Sequence, residues 1–401
     1  MKNRRLPGSS WLSYIFLYGL LKPFLFIYFH LFQRVRFHRN NHPIPKGPIF
    51  VIGNHHTNWD GFYHAILLYW RFPHFIVHDE AFKNKRYAAV FGSFLGQVRR
   101  GRNGLDAEPI KMLKRLTDAG QSVSVLPEGD IDMFGRTLPI DSSIAKLAKM
   151  LNIPVVLVRI SGAHLRAPRW SNLAHHTRID VDVTDIIDST CLQTVTIESL
   201  YDRIVKGIKI NSYDIQAKRL VKVWGSKRAE WLELGLYWCP QCQSYESIVS
   251  RGNHFVCINC GLVGHVNKYL LLDVPSLPDI TRPDAWDDLQ FEALKEKLHS
   301  TDEDGYLFSL SHCRFEMIES CEFFSNRGKA ASAQLYKDRI QIATHENMTI
   351  TIPLETIKQI RFQYKDVFEI SDGNKRYRLW RKTPKWSAYL WVNCVKEIVK
   401  L

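Results

Sequence analysis

Four of the eight cysteines stand as two CxxC pairs, "CPQC" (Cys239, Cys242) and "CINC" (Cys257, Cys260), with fourteen residues between them. No other feature restricts the local fold so tightly. Each CxxC turn lets two thiolates bite one tetrahedral ion, so the two pairs must fold onto each other. The intervening "SYESIVSRGNHFV" reads as the hairpin that brings them together. A zinc ribbon over residues 237–266 is expected, with Cys239, Cys242, Cys257 and Cys260 as ligands. Two redox dithiols would need a thioredoxin-type βαβ setting, and neither pair has one. Intact thiolates also call for a reducing compartment, hence the cytosolic side of a membrane. Cys191, Cys313, Cys321 and Cys394 are scattered and are expected to be buried or idle thiols.

The chain has 401 residues and a formal net charge of +14, which favours anionic partners: membrane lipid, phosphorylated metabolites or nucleic acid. The excess is uneven. Lys2, Arg4, Arg5, Lys22, Arg34, Arg36, Arg39 and Lys46 precede the first acid, Asp60. Within this basic segment lies "WLSYIFLYGLLKPFLFIYFHLF", residues 11–32, whose one charge is Lys22. It nearly reaches the roughly 20 apolar residues of a membrane span. Lys22-Pro23 at its centre argues instead for two half-length, aromatic-rich helices lying in the membrane interface over residues 1–40. A span and a buried hairpin are the alternatives, and no small-residue cleavage site marks a signal peptide.

From about residue 48 to 210, short apolar strands alternate with amphipathic helices. "PIFVIG" leads into a helix at Asp60, "EPIKMLKRLTDAG" ends on Gly120, and "SVSVLPEG" precedes "DSSIAKLAKMLN" and "IPVVLVRIS". This is the pattern of an α/β domain with a largely parallel sheet, placed at residues 41–212. A helical connector (213–236) leads to the ribbon, and an acidic, proline-bearing linker follows (267–325). The last segment (326–401) changes to period-2 alternation in "DRIQIAT", "MTITIPL", "IKQIRFQY" and "DVFEIS". A final helix carries Trp386, Leu390, Cys394 and Ile398 on one face. Antiparallel strands closed by one helix point to a small barrel of the pleckstrin-homology type.

The chemistry is expected at "NHHTNWD", residues 54–60. On a continuous helix, residues 55 and 60 would lie about 140° apart. Contact between His55 and Asp60 therefore requires a strand-to-helix corner, which the pattern supplies. No serine or cysteine nucleophile has a place beside the pair. A His–Asp dyad alone suits activation of a substrate hydroxyl, the acid fixing the tautomer and supporting the imidazolium. His56 is the rival base, and alternation along an extended segment would point it to the opposite face.

Residues 10–212 resemble the lysophosphatidate acyltransferase superfamily. Its NH-x-S-x-x-D block is matched by Asn54, His55 and Asp60, with Thr57 for serine. Its Arg-Gly block is matched by "GQVRRG" with Arg100, its Phe-Pro-Glu-Gly-Thr-Arg block by "LPEGDI" with Pro127, Glu128 and Gly129, and its proline-led strand by "IPVVLVRI" with Pro154. The resemblance implies that His55 is the general base and Asp60 its orienter. It implies that Arg100 neutralises an acceptor phosphate, and that Glu128 and the Gly129 backbone help hold acceptor hydroxyls. The acyl donor would be acyl-CoA or an acyl-carrier protein, and the acceptor a lysophospholipid such as lysophosphatidate. Zinc would be structural, membrane lipids would be partners and nucleic acid would not. The expected location is the cytoplasmic face of the cell membrane, peripheral or monotopic.

One departure stands out. Asp130-Ile131 replaces the family's Thr-Arg, removing a phosphate-binding arginine for which Arg136 is a candidate substitute. An unphosphorylated or glycosylated acceptor is therefore an alternative. So are a catalytically idle lipid-binding scaffold and a thioester hydrolase on the same dyad. The basic run Lys375, Arg376, Arg378, Arg381, Lys382 and Lys385 is a candidate headgroup patch or a charged strand edge.

Overall fold

A computed structural model describes residues 15–68, 71–77, 92, 95–99, 107–302, 304–319, 329–344, 348–381 and 386–400. The chain divides into two compact units, one of residues 1–169 and 174–224, the other of residues 170–173 and 225–401.

The first unit is built on seven strands: β1 (Val35–His38), β2 (Phe50–Gly53), β3 (His74–Val77), β4 (Val98–Arg99), β5 (Val123–Val125), β6 (Val155–Ser161) and β7 (Ile179–Ile187). Their order in the sheet is β1-β7-β6-β2-β5-β3-β4. The pairing is parallel except between β6 and β7. Strand β2 is central and buried on both faces. Phe50 and Ile52 face one core with helices α3 (Ala107–Asp118), α4 (Ser143–Leu151) and α5 (Ile197–Ile208), while Val51 faces the other. That second core takes Leu25 and Phe29 from α1 (Ile15–Phe32) and Tyr63, Ile66 and Leu67 from α2 (Asp60–Leu67). Near-continuous apolar strands covered on both sides are what a parallel sheet requires.

Two expectations near the N-terminus need correction. The predicted break at Lys22-Pro23 does not occur: α1 is helical without interruption from Ile15 to Phe32. Pro23 sits where wider i→i+5 hydrogen bonding gives way to ordinary α-helix, at the first positions of the α segment. At this change of hydrogen-bond pattern the missing N–H does not end the helix. Residues 35–38, placed among membrane-associated helices, instead form edge strand β1, paired with β7.

Gly53 ends β2 where α2 crosses above it. A Cβ at this position would lie 2.4 Å from His64 Nε2 and 3.1 Å from the Val158 carbonyl oxygen. Gly53→Ala is therefore expected to lower stability by about 1–3 kcal/mol through overpacking. A fall in the denaturant midpoint without a change in slope would show this; an unchanged midpoint would mean that the helix shifts freely.

In the second unit, β8 (Ile248–Arg251) and β9 (His254–Cys257) form the hairpin between the cysteine pairs. With β10 (Val263–Val266) and β11 (Leu272–Asp273) they make a four-stranded sheet of order β11-β10-β9-β8. The segment 267–325, expected to be a linker, contains α6 (Pro283–Ser300) and the long strand β12 (Phe308–Glu319). Strand β12 belongs to a seven-stranded antiparallel sheet with β13 (Lys329–Leu335), β14 (Arg339–Thr344), β15 (Thr349–Pro353), β16 (Gln359–Gln363), β17 (Val367–Ser371) and β18 (Lys375–Trp380). The order is β15-β14-β13-β12-β18-β17-β16, so β12 joins the two wings. Helix α7 (Ala388–Val399) packs on β16 and β17. Trp386 precedes this helix, Leu390 and Cys394 are buried, and Ile398 is half-buried.

Arg378 drops out of the predicted headgroup patch. It is fully buried and donates from Nε to Glu369 on the neighbouring strand. Lys382 and Lys385 lie outside the described residues, as does Cys321.

Candidate active site

The loop between β2 and α2 makes the strand-to-helix corner. Asn54 is fully buried and anchors it: its Nδ2 donates to the Ile160 carbonyl at 3.0 Å, and its Oδ1 accepts the Ile160 N–H at 2.7 Å. Sequence reasoning quoted Asn54 as part of a motif without giving it a role. Asn54→Ala would leave both polar groups of Ile160 unpaired in the core, and the expected loss is about 2–4 kcal/mol. Equilibrium unfolding checks this, and a loss below ~0.5 kcal/mol would mean that the anchor is dispensable.

Asp60 opens α2 and is completely buried. Its Oδ2 accepts from His55 Nδ1 at 2.9 Å, His56 N at 2.6 Å and Thr57 N at 2.8 Å, and its Oδ1 accepts from Thr57 Oγ1 at 2.8 Å. Burial opposes ionisation, but the hydrogen bond and charge of His55 together with the Thr57 backbone outweigh it. The carboxyl is held below its usual range. An ionised carboxylate can only accept, so His55 Nδ1 must carry the proton. The Nε2 lone pair of His55 then points away from the acid. The imidazole is 21% exposed and its acid 0%, so the base is reachable and its support is not.

His56 differs in every respect. It is 2% exposed, and burial pushes its pKa down to about 4, so the ring stays neutral. Its backbone N–H helps clamp Asp60, while its ring lies 6.3 Å from that of His164. The structure thus separates a reachable histidine from a packed one.

Glu128 ties the corner to the rest of the domain. Its Oε1 accepts His55 N–H at 2.6 Å and its Oε2 accepts Leu138 N–H at 2.7 Å. Burial raises its pKa to about 8 against these two donors, which favour the anion. Gly129 follows in a turn at φ 68°, exposed, its N–H bonded to Leu126 O at 3.2 Å. Arg100 lies outside the described residues.

At the altered third block, Arg136 lies beside Asp132. Its Nε lies 3.8 Å from Asp132 Oδ1, an oxygen that also accepts the Arg136 and Phe134 N–H groups. Arg169 occupies the turn instead, with Nη1 donating to Asp130 Oδ1 and to Ile131 O, each at 2.5 Å. Nothing in the sequence pattern marks Arg169, because 39 residues separate it from Asp130.

In the second unit the four predicted ligands converge. Cys239 and Cys260 Sγ lie 3.7 Å apart, Cys242 and Cys257 Sγ 3.6 Å, and all four within 4.8 Å of one another. Zn–S bonds of ~2.3 Å at the tetrahedral angle imply S···S edges of about 3.8 Å. The two knuckles share a backbone pattern: Gln243 N donates to Cys239 O at 2.8 Å and Gly261 N to Cys257 O at 2.9 Å. Gln243 and Gly261 both have positive φ, 59° and 74°. The cluster can hold one metal ion.

Residues 34–161 match the profile of the family described as Acyltransferase, a stretch that includes the dyad, Arg100, Glu128 and Gly129. The first unit therefore carries an acyltransferase domain, and the resemblance read from the four sequence blocks holds. Among solved structures, the chain is similar to the 1-acyl-sn-glycerophosphate (LPA) acyltransferase PlsC from Thermotoga maritima. The identity is 15%, the TM-score 0.40, and the similarity covers 51% of this chain and 87% of that one. No curated protein matches the chain.

Proposed function

We propose that this protein is a membrane-associated O-acyltransferase of phospholipid biosynthesis. It would move a fatty acyl group from acyl-CoA or an acyl-carrier protein to a hydroxyl of a lysophospholipid such as lysophosphatidate. The observation that carries this reading is the 2.9 Å His55–Asp60 contact, with the ring partly exposed and the acid sealed. His55 Nε2 takes the proton as the acceptor oxygen attacks the thioester carbonyl, and Asp60 stabilises the resulting imidazolium. The tetrahedral intermediate expels the thiolate, which recovers the proton from His55. Glu128 fixes the backbone of His55, and the exposed Gly129 turn lets acceptor hydroxyls approach the main chain. The Asp130–Arg169 pair balances its own charge, so an acceptor phosphate falls to other cations, Arg100 first.

Membrane attachment is supported by α1. Leu17, Leu25 and Phe29 are buried against the domain, while Leu20, Phe24, Ile27 and Leu31 form an exposed apolar stripe at helical spacing. A helix committed on one face to its own domain suits an in-plane position better than a free span. Phe29 and Tyr28 each lie 5.7 Å from Trp59, so the membrane-facing helix adjoins the dyad loop. The cytoplasmic face follows from the thiolates of the ribbon, in which structural zinc is proposed.

Purified protein in micelles, given labelled acyl-CoA and a panel of lyso-acceptors, tests the proposal. Labelled diacyl product is expected. Free fatty acid alone would mean hydrolysis, and no turnover would mean an idle scaffold.

A further inference from the structure

One cavity in the first unit plays no part in the mechanism above. It holds about 490 Å3, within the usual range of ligand sites, and lies between α1, β1 and the C-terminal end of α2. Asp60 begins α2 and Leu67, in the cavity wall, ends it, so the cavity is roughly 10 Å from the dyad along the helix. Its wall is apolar and aromatic, from Phe26, Phe37 and Leu67, and carries two cations, Lys22 and Arg39.

Lys22 is the informative residue. Its amine donates to the Arg71 carbonyl oxygen at 3.0 Å and sits 5.5 Å from the centre of the Tyr18 ring. Neither partner carries a negative charge. Burial lowers its pKa to about 7, and among the described residues no acid offsets that desolvation. Arg39 Nη2 also spends a hydrogen bond on a carbonyl, that of Leu67, at 3.2 Å. A desolvated cation beside an apolar trough on a helix with an exposed apolar stripe is complementary to one kind of molecule: an amphiphile with an anionic head.

We infer that this cavity binds one anionic phospholipid of the bilayer, its phosphate between Lys22 and Arg39 and a fatty chain along Phe26, Phe37 and Leu67. The lipid would lock α1 onto α2 and so favour membranes rich in anionic lipid. The inference rests on the proposed membrane association and not on acyl transfer.

The test counts bound lipid on the full chain. The protein, in neutral detergent, is mixed with phosphatidylglycerol or phosphatidylcholine, and native mass spectrometry reads what is retained. The wild type should keep one phosphatidylglycerol, and phosphatidylcholine at least about tenfold less. Lys22→Gln and Arg39→Gln should each reduce retention about tenfold. Lys22→Arg should keep it, which guards against a simple folding defect in Lys22→Gln. Lys46→Gln removes an exposed cation from the same basic segment and should have no effect. Equal loss in Lys46→Gln would overturn the inference in favour of diffuse surface charge. So would equal retention of both lipids, or inorganic phosphate binding as tightly as the lipid. Flotation with vesicles of either lipid separates the underlying readings: a chain that floats but retains no lipid defeats the site, whereas one that never floats defeats the membrane attachment.

Discussion

Replacing His55 with alanine is expected to reduce acyl transfer by about 10²–10⁴-fold, the usual share of a general base. The fold should survive. The ring is partly solvated, and Asp60 keeps its bonds from the His56 and Thr57 backbone and the Thr57 hydroxyl. Attachment to membranes should persist as well, since the α1 stripe is untouched. Rates measured alongside flotation and far-UV circular dichroism check all three. Near-wild-type activity would remove His55 from the chemistry. His56 could not inherit the role, being buried and, with its pKa lowered to about 4, a much weaker base.

The second large effect concerns metal removal. Four thiols gathered within 4.8 Å repel once deprotonated unless a cation holds them. Structural zinc supplies roughly 10–16 kcal/mol in isolated finger peptides, so the ribbon should unfold when stripped. The loss should spread to α6. Trp286 Nε1 donates to Trp238 O at 2.9 Å, Gln290 Nε2 to Gly235 O at 2.9 Å, and Tyr237 N to Gln290 Oε1 at 3.0 Å. Chelation or Cys257→Ser should release about one zinc per chain and open residues 237–266 to limited proteolysis. A stripped ribbon that still resists protease would show that the hairpin stands without metal.

The geometry of the candidate dyad and of the cysteine cluster was more legible than the fold around them. The dyad could be located because a strand-to-helix corner is the one local geometry that joins residues 55 and 60, and "FVIG" followed by an acid at the start of an apolar helix announces that corner. The cysteine pairs declare themselves by spacing alone. Helix α6 was missed because its buried face includes Asp284, Asp287 and Gln290 beside Trp286 and Leu294, which dilutes the apolar period. Asp284 pairs with Arg282 two residues before it, while Asp287 and Gln290 have partners far away in sequence, such as Tyr389, whose hydroxyl donates to Asp287 Oδ2 at 3.1 Å. Arg378 was read as surface charge for the same reason: its partner Glu369 lies on the adjacent strand. The Asp130–Arg169 pair is a tertiary contact that no local pattern encodes. Pro23 misled because its effect depends on where it falls within the helix.

The central claim is that His55 and Asp60 work as one unit, the acid acting through the imidazole. A double-mutant cycle on acyl transfer tests it most directly, with His55→Ala, Asp60→Ala and the pair compared under single-turnover conditions. The account predicts that the double variant is scarcely slower than His55→Ala alone, because an orienting carboxylate has nothing left to orient. Losses that multiply, each residue lowering the rate by its full factor regardless of the other, would contradict it.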